Sequence, residues 1–275
     1  MGMSSGEESQ TVSDRCEDFP PALAVAGRGA DRVEVESPSL FAGGGGPTAY
    51  EMKFLLTEEQ AREVAVRVST RLALDPYADP ALDNGYLITS VYTDTPDYDV
   101  LRRTGASSRK YRARGYGIGG PVFVERKTKR GDEVRKRRNR VPSGNLSILD
   151  AVELAPDWPG EWFRRQTANR RLRPVCRISY ERVAYMGPSD GGAIRVTFDR
   201  RLRGAVVNGW EVAPVDPAPG LLDGRVICEF KFRVAMPGLL KGVIEGLGLC
   251  PSSVSKYRLF MGTVMPTAVG GVMNA

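Results

Sequence analysis

The chain contains no histidine. That absence excludes Ser-His-Asp and Cys-His catalysis and every imidazole-based zinc or iron site, so any metal must be held by oxygen. Cysteine is scarce: Cys16, Cys176, Cys228 and Cys250 lie far apart with no C-x-x-C, which excludes a zinc knuckle and a dense disulfide framework. Long apolar runs are also missing. Nothing approaches the roughly 18 residues of a membrane span, and the acidic N-terminus lacks a basic-then-apolar signal pattern. The expectation is a soluble, cytoplasmic protein without a transmembrane segment. No phosphate-binding P-loop is present either, because the run Gly43-Gly44-Gly45-Gly46 lacks the Gly-Lys-Ser/Thr ending.

The 275 residues are 41% hydrophobic and 26% charged, enough for one substantial core or two small ones. The net charge of +6 is spread unevenly. Residues 1–48 hold 3 basic and 8 acidic side chains in a Ser-, Pro- and Gly-rich composition that cannot bury enough apolar surface to order itself. They read as a disordered acidic, Gly-rich tail ahead of a domain at 49–275. Between Arg102 and Arg140 there are 15 basic residues against Glu125, Asp132 and Glu133. That one segment accounts for the whole positive excess, and it implies an anionic partner.

Periodicity predicts a strand at 50–55, then a helix to about Leu74 whose apolar stripe is Ala61, Val64, Ala65, Val68 and Leu72. Thr57 with Gln60 three residues on has the capping-box spacing. From Gly85 the pattern changes to short alternating runs at 86–93, 110–116, 122–128, 175–185, 193–199 and 226–234, which read as strands. Helices are expected at 146–154, 160–172 and 237–247. Many antiparallel strands with a few helices and no regular alternation give an α+β class. Gly115-x-Gly117-x-x-Gly120 matches a dinucleotide fingerprint, but it lies between two strands and so reads as a hairpin turn.

Alternate residues of a strand share a face. Lys110, Arg112 and Arg114 therefore project together, away from Tyr111 and Ala113. On the next strand Glu125, Lys127 and Lys129 oppose Val122, Val124 and Arg126. Other strands contribute Glu51 with Lys53, Arg182, Arg195, and Glu229 with Lys231. Charged faces backed by apolar ones, strand after strand, suit an antiparallel β-barrel with a polar interior and a covered outside. Arginine forks grip phosphate oxygens, lysines act as point charges, and carboxylates hold hard divalent ions. A specific nucleic-acid partner is not expected: Tyr111 faces away from the basic residues, and Glu125 and Glu229 would repel such a ligand.

These stretches resemble the VTC domain, the polyphosphate polymerase branch of the triphosphate tunnel metalloenzymes. The matching segments include Tyr50-Glu51-Met52-Lys53-Phe54, Ser90-Val91-Tyr92-Thr93-Asp94-Thr95, Tyr111-Arg112-Ala113-Arg114-Gly115-Tyr116-Gly117 and Val122-Phe123-Val124-Glu125-Arg126-Lys127-Thr128. Further on come Arg135-Lys136, Tyr180-Glu181-Arg182-Val183-Ala184-Tyr185, Arg195-Val196-Thr197-Phe198-Asp199, Glu229-Phe230-Lys231-Phe232 and Ser255-Lys256-Tyr257. The resemblance implies a tunnel of about eight strands with flanking helices. In it Lys53, Arg112, Arg114, Lys127, Arg182, Arg195 and Lys256 would grip phosphates, supported by Lys110, Lys129, Lys136 and Lys231. Glu229, with Glu51, would hold Mn²⁺ or Mg²⁺.

ATP and polyphosphate are the implied partners, and transfer of the ATP γ-phosphoryl group to a growing chain is the implied reaction. The superfamily opens with Glu-x-Glu-x-Lys, whereas this chain reads Ala49-Tyr50-Glu51-Met52-Lys53. Loss of the first carboxylate argues against a triphosphatase or cyclase and is compatible with the polymerase branch. Hydrolysis of triphosphate or short polyphosphate, and polyphosphate sensing without turnover, remain the alternatives. Deletion of residues 1–48 is expected to leave the melting temperature nearly unchanged in a thermal unfolding scan; a large drop would show that the segment packs on the domain.

Overall fold

The computed structural model describes residues 49–266, apart from 105–107, 131–132, 143–144, 152, 154 and 190–191. The expected tail at 1–48 lies outside the described residues. In chain order the elements are β1 (Ala49–Leu56), α1 (Glu58–Ser69), β2 (Ala73–Leu74), β3 (Gly85–Asp94), α2 (Asp99–Arg102), β4 (Arg109–Tyr116), β5 (Val122–Arg130) and β6 (Glu133–Arg140). They continue with α3 (Glu161–Asn169), β7 (Arg173–Gly187), β8 (Ile194–Val206), β9 (Val226–Arg233), α4 (Gly238–Gly246) and α5 (Lys256–Val264). Eight strands form one antiparallel sheet in the order β1-β9-β8-β7-β3-β4-β5-β6, with β2 pairing separately on β7. The sheet curls until its two end strands, β1 and β6, lie against each other. From β5, the strand next to β6, the Lys127 ammonium reaches β1 and donates to both Glu51 oxygens at 2.8 Å.

The outward faces are covered as the alternation requires. Phe54 and Leu56 of β1, Val196 and Phe198 of β8, and Phe230 of β9 pack with the Ala61, Val64 and Val68 stripe of α1 and with Leu240 and Val243 of α4. Tyr111, Ala113 and Val124 pack under Phe163 of α3 together with Trp158 and Trp210. A third cluster lies on the inner face. Tyr257, Phe260 and Met261 of α5 pack on Cys176, Ile178, Tyr180 and Leu202 of β7 and β8. Gly204 is required there, because a β-carbon would fall 2.2 Å from the Phe260 ring.

The Thr57 capping box forms as expected: its hydroxyl accepts from the Gln60 amide at 3.1 Å, and Gln60 Oε1 accepts from the Thr57 amide at 3.0 Å. The helix stops earlier than the apolar stripe predicts, at Ser69 instead of Leu74. Ser69 and Thr70 hydroxyls donate back to the carbonyls of Val66 and Arg67, a competition with the backbone that ends helices. Leu72 still reaches the core, and Ala73 and Leu74 pair with β7 as β2. The expected helix at 146–154 is only a tight turn at Leu146–Leu149. β6 escapes a reading by periodicity because both of its faces are polar. β8 runs seven residues past the expected Asp199, to Val206, through Arg201 at φ 49°. Three free thiols, Cys176, Cys228 and Cys250, are too dispersed to pair, and no described helix is long and apolar enough to cross a membrane.

Two stability outcomes follow from these contacts. Val124, fully buried beneath α3, should lose about 1 to 3 kcal/mol on truncation to alanine, read by urea unfolding. Thr57→Ala should cost about 1 kcal/mol by loss of the cap.

Candidate functional site

The register of the sheet brings the charged residues of seven strands to one inner face. Across β1, β9 and β8, Lys53 lies opposite Glu229, Glu229 opposite Thr197, Glu51 opposite Lys231, and Lys231 opposite Arg195. Across β7 and β8, Arg182 faces Asp199. Across β4, β5 and β6, Lys110 is paired with Lys127 and Lys127 with Lys136, while Arg112 is paired with Glu125 and Glu125 with Arg138. Three lysines directly opposed on neighbouring strands repel one another. Such a ladder is tolerated because carboxylates lie among the cations and because an anion can settle on it.

Glu125 is almost wholly buried, 1% exposed. Its Oε2 accepts from Arg112 Nε at 2.7 Å, while Lys136 Nζ is 2.6 Å and Arg138 Nε 3.6 Å from Oε1. Arg114 lies 3.9 Å away and donates through Nε to Ser90 Oγ at 3.1 Å. Burial pushes the Glu125 carboxyl up, but Lys136, Arg112, Arg114 and Arg138 together hold it well below the usual carboxylate range. Arg138 stacks on Phe123 with 3.5 Å from guanidinium carbon to ring centroid. These cations keep N–H donors beyond the contacts named, which an anion can use.

A second carboxylate group is formed by Glu51 and Glu229. Lys231 lies 2.5 Å from Glu229 and 3.8 Å from Glu51, and Lys53 lies 3.7 Å and 3.2 Å from the same pair. Burial and Glu229 raise the Glu51 carboxyl, but Lys231, Lys127 and Lys53 outweigh them and hold it at about 2. Glu229 is likewise kept ionised, by Lys231 ahead of Lys53 and Lys127 and against its burial. Both are therefore anionic oxygen donors. Among the described residues no cluster of three or more His, Cys, Asp or Glu forms a complete metal cage. Two ionised carboxylates do fit a hard divalent ion that takes its other ligands from phosphate and water.

Asp199 organises the third group. Arg182 donates to its two oxygens at 2.6 and 2.7 Å, and Lys256 reaches Oδ2 at 2.5 Å. Lys256 opens α5, which is anchored by the Tyr257 hydroxyl donating to Asp94 at 2.5 Å. Asp94 also accepts from the amides of Val100 and Leu101 at the start of α2.

Of the residues singled out in the sequence, Lys53, Lys110, Arg112, Arg114, Lys127, Lys136, Arg182, Lys231 and Lys256 meet on this face, with Glu51 and Glu229 among them. The Arg195 strand position is shared with Lys231, and its guanidinium is held by Asp75 at 2.5 Å and the Tyr86 hydroxyl at 3.0 Å. The Lys129 side chain lies outside the described residues. Sequence reasoning placed Glu125 on the basic face without giving it a role, and it missed Arg138 and Asp199. Arg138 lies on the unread β6. Asp199, the last residue of the expected strand at 193–199 and in phase with Arg195, was legible from parity alone.

Lysine crowding has a measurable consequence. Burial, then Arg258, Lys53, Lys127 and Arg103, pull Lys110 down to about 7, and burial pulls Lys136 down to about 8 despite Glu125. A bound polyanion favours the protonated forms, so binding must take up protons wherever these lysines are partly neutral. Affinity for inorganic tripolyphosphate should fall as pH rises through about 7 to 9, and calorimetry in buffers of different ionisation enthalpy should record the uptake. Affinity flat across that window would mean that the two lysines do not face the ligand.

The VTC domain family model matches residues 48–264. No curated protein matches the chain. Among solved structures, the chain is similar to a protein of Hippeastrum named as an adenylyl cyclase candidate and described as having a dominant triphosphatase activity, at 14% identity and TM-score 0.45, over 78% of this chain and 96% of that one. A Pyrococcus horikoshii protein, PH1819, is similar at 13% identity and TM-score 0.44, over 78% and 99% of the two chains. A Vibrio parahaemolyticus protein named as an adenylate cyclase candidate is similar at 12% identity and TM-score 0.44, over 78% and 99%. With the family match spanning the sheet and its flanking helices, the chain belongs to the VTC domain family.

Proposed function

We propose that the protein is a cytoplasmic polyphosphate polymerase that transfers the γ-phosphoryl group of ATP to the end of a polyphosphate chain on the inner face of the sheet. The observation that carries this reading is the in-register ladder Lys110, Lys127 and Lys136 beside the Arg112, Arg114 and Arg138 group. A linear polyanion offers one negative charge for each such cation and relieves the repulsion between them.

In the transfer, an anionic terminal oxygen of the acceptor chain forms a bond to the γ-phosphorus while the bond from that phosphorus to the bridging oxygen breaks, releasing ADP. The acceptor is already deprotonated, so no protein nucleophile and no histidine is required. Arg112, Arg114, Lys127 and Lys136 align the phosphates and offset the charge that develops on the transferred group. Arg182 and Lys256, held in place by Asp199, supply further donors. Glu51 and Glu229 are the residues that would hold Mn²⁺ or Mg²⁺, which supplies charge neutralisation between phosphates.

The test pairs turnover with binding. Wild-type protein given ATP and Mn²⁺ should produce long-chain polyphosphate and ADP. Glu229→Gln should abolish that synthesis while preserving or strengthening polyphosphate binding in EDTA, since one negative charge has been removed from the anion site. Binding by the wild type without turnover under any divalent ion would replace the polymerase with a polyphosphate-binding module. Release of orthophosphate without chain growth would replace it with a hydrolase.

A further inference from the structure

The outside of the sheet carries a cationic feature that the inner site does not use. Arg126 of β5 and Arg137 of β6 are directly opposed in register, one residue out of phase with the inward Lys127 and Lys136. Both lie on one indole: the guanidinium carbons are 5.6 Å and 4.5 Å from the centroid of Trp162 on α3. The indole is itself fixed, its Nε1 donating to Asn139 Oδ1 at 2.6 Å. Among the described residues no carboxylate makes an ion pair with either arginine, and Arg126 Nε is buried without a hydrogen-bond acceptor. The next row places Arg109 and Arg135 on either side of Thr128 on the same face.

Packing alone does not account for this arrangement. Directly opposed like charges on neighbouring strands destabilise a sheet, and a buried donor without an acceptor costs stability as well. An oxyanion seated between the two guanidiniums would answer both costs, since arginine forks bind phosphate oxygens in pairs.

We propose that the outer face of β5 and β6, centred on Arg126, Arg137 and Trp162, is a second binding track for a phosphate chain, which lies on it after leaving the inner face. The proposal rests on the reading of the inner face as a polyphosphate site. β6 connects the two surfaces, because it directs Lys136 and Arg138 inward and Arg135 and Arg137 outward along eight consecutive residues. A chain that leaves the inner face past the ends of β5 and β6 and continues on their outer face gains contacts that a short phosphate cannot make. The track therefore selects for chain length.

The test uses the full chain and two inorganic probes, tripolyphosphate and polyphosphate of about 100 units, with Arg126→Gln/Arg137→Gln and with Arg137→Gln alone in case the double variant folds poorly. The double variant should bind long polyphosphate roughly tenfold more weakly at 0.1 M salt, with a shallower salt dependence from two lost phosphate contacts. Its tripolyphosphate affinity should be unchanged. Its melting temperature should hold or rise, because the like-charge pair is gone; the single variant should shift in the same directions by less.

Unchanged long-chain affinity would overturn the track and leave the inner site intact. Equal losses for both probes would also overturn it, by showing that the arginines act through the inner face. A wild type that binds neither probe would instead remove the polyphosphate reading on which the track depends. A variant that loses single-stranded DNA binding while keeping long polyphosphate would assign the surface to nucleic acid.

Discussion

Crowding of like charge on the inner face is the constraint around which the structure is arranged. Lys110, Lys127 and Lys136 stand opposite one another on three neighbouring strands, a pattern that a sheet selected only for stability would avoid. The fold contains the repulsion with a few carboxylates, each shared by several cations. Glu125 serves Arg112, Lys136 and Arg138; Glu51 and Glu229 serve Lys53 and Lys231; and Asp199 serves Arg182 and Lys256. Buried ion pairs of this kind add little net stability, because desolvation offsets most of the attraction. Their effect here is geometric: they hold guanidinium and ammonium groups in place without neutralising the surface.

The same economy explains how the barrel closes. β1 and β6 lie against each other, and Lys127, one strand in from β6, reaches Glu51 of β1, so a residue that faces the site also ties the two ends of the sheet together. α5 closes the inner face at another place by packing Phe260 on Gly204, and its first residue is Lys256. The anchor of α5 on Asp94 thus ties a core interaction to the position of a cation in the site. Stability and ligand geometry share residues at both points.

Much of this was legible in the sequence where one face of an element is apolar. Strands β3, β4, β5, β7 and β9 declare themselves by alternation, and parity alone assigns Lys110, Arg112 and Arg114 to one face and Tyr111 and Ala113 to the other, as the burial of Tyr111 and Ala113 confirms. β6 was hidden because neither face of Arg135-Lys136-Arg137-Arg138 is apolar, and the convergence of cations on Glu125 was hidden with it. The early end of α1 depends on Ser69 and Thr70 hydroxyls competing for helical carbonyls, which a hydrophobic stripe does not register. α5, Lys256–Val264, was also not read as a helix.

The central claim is that the inner face accommodates a phosphate chain along the Lys110, Lys127 and Lys136 ladder. A crystal structure of the protein grown with polyphosphate of about 20 units tests it most directly. The account predicts continuous density for the chain on the inner face, in contact with those three lysines and with Arg112 and Arg114. An inner face holding only water, with the polymer bound elsewhere on the molecule or not at all, would contradict it.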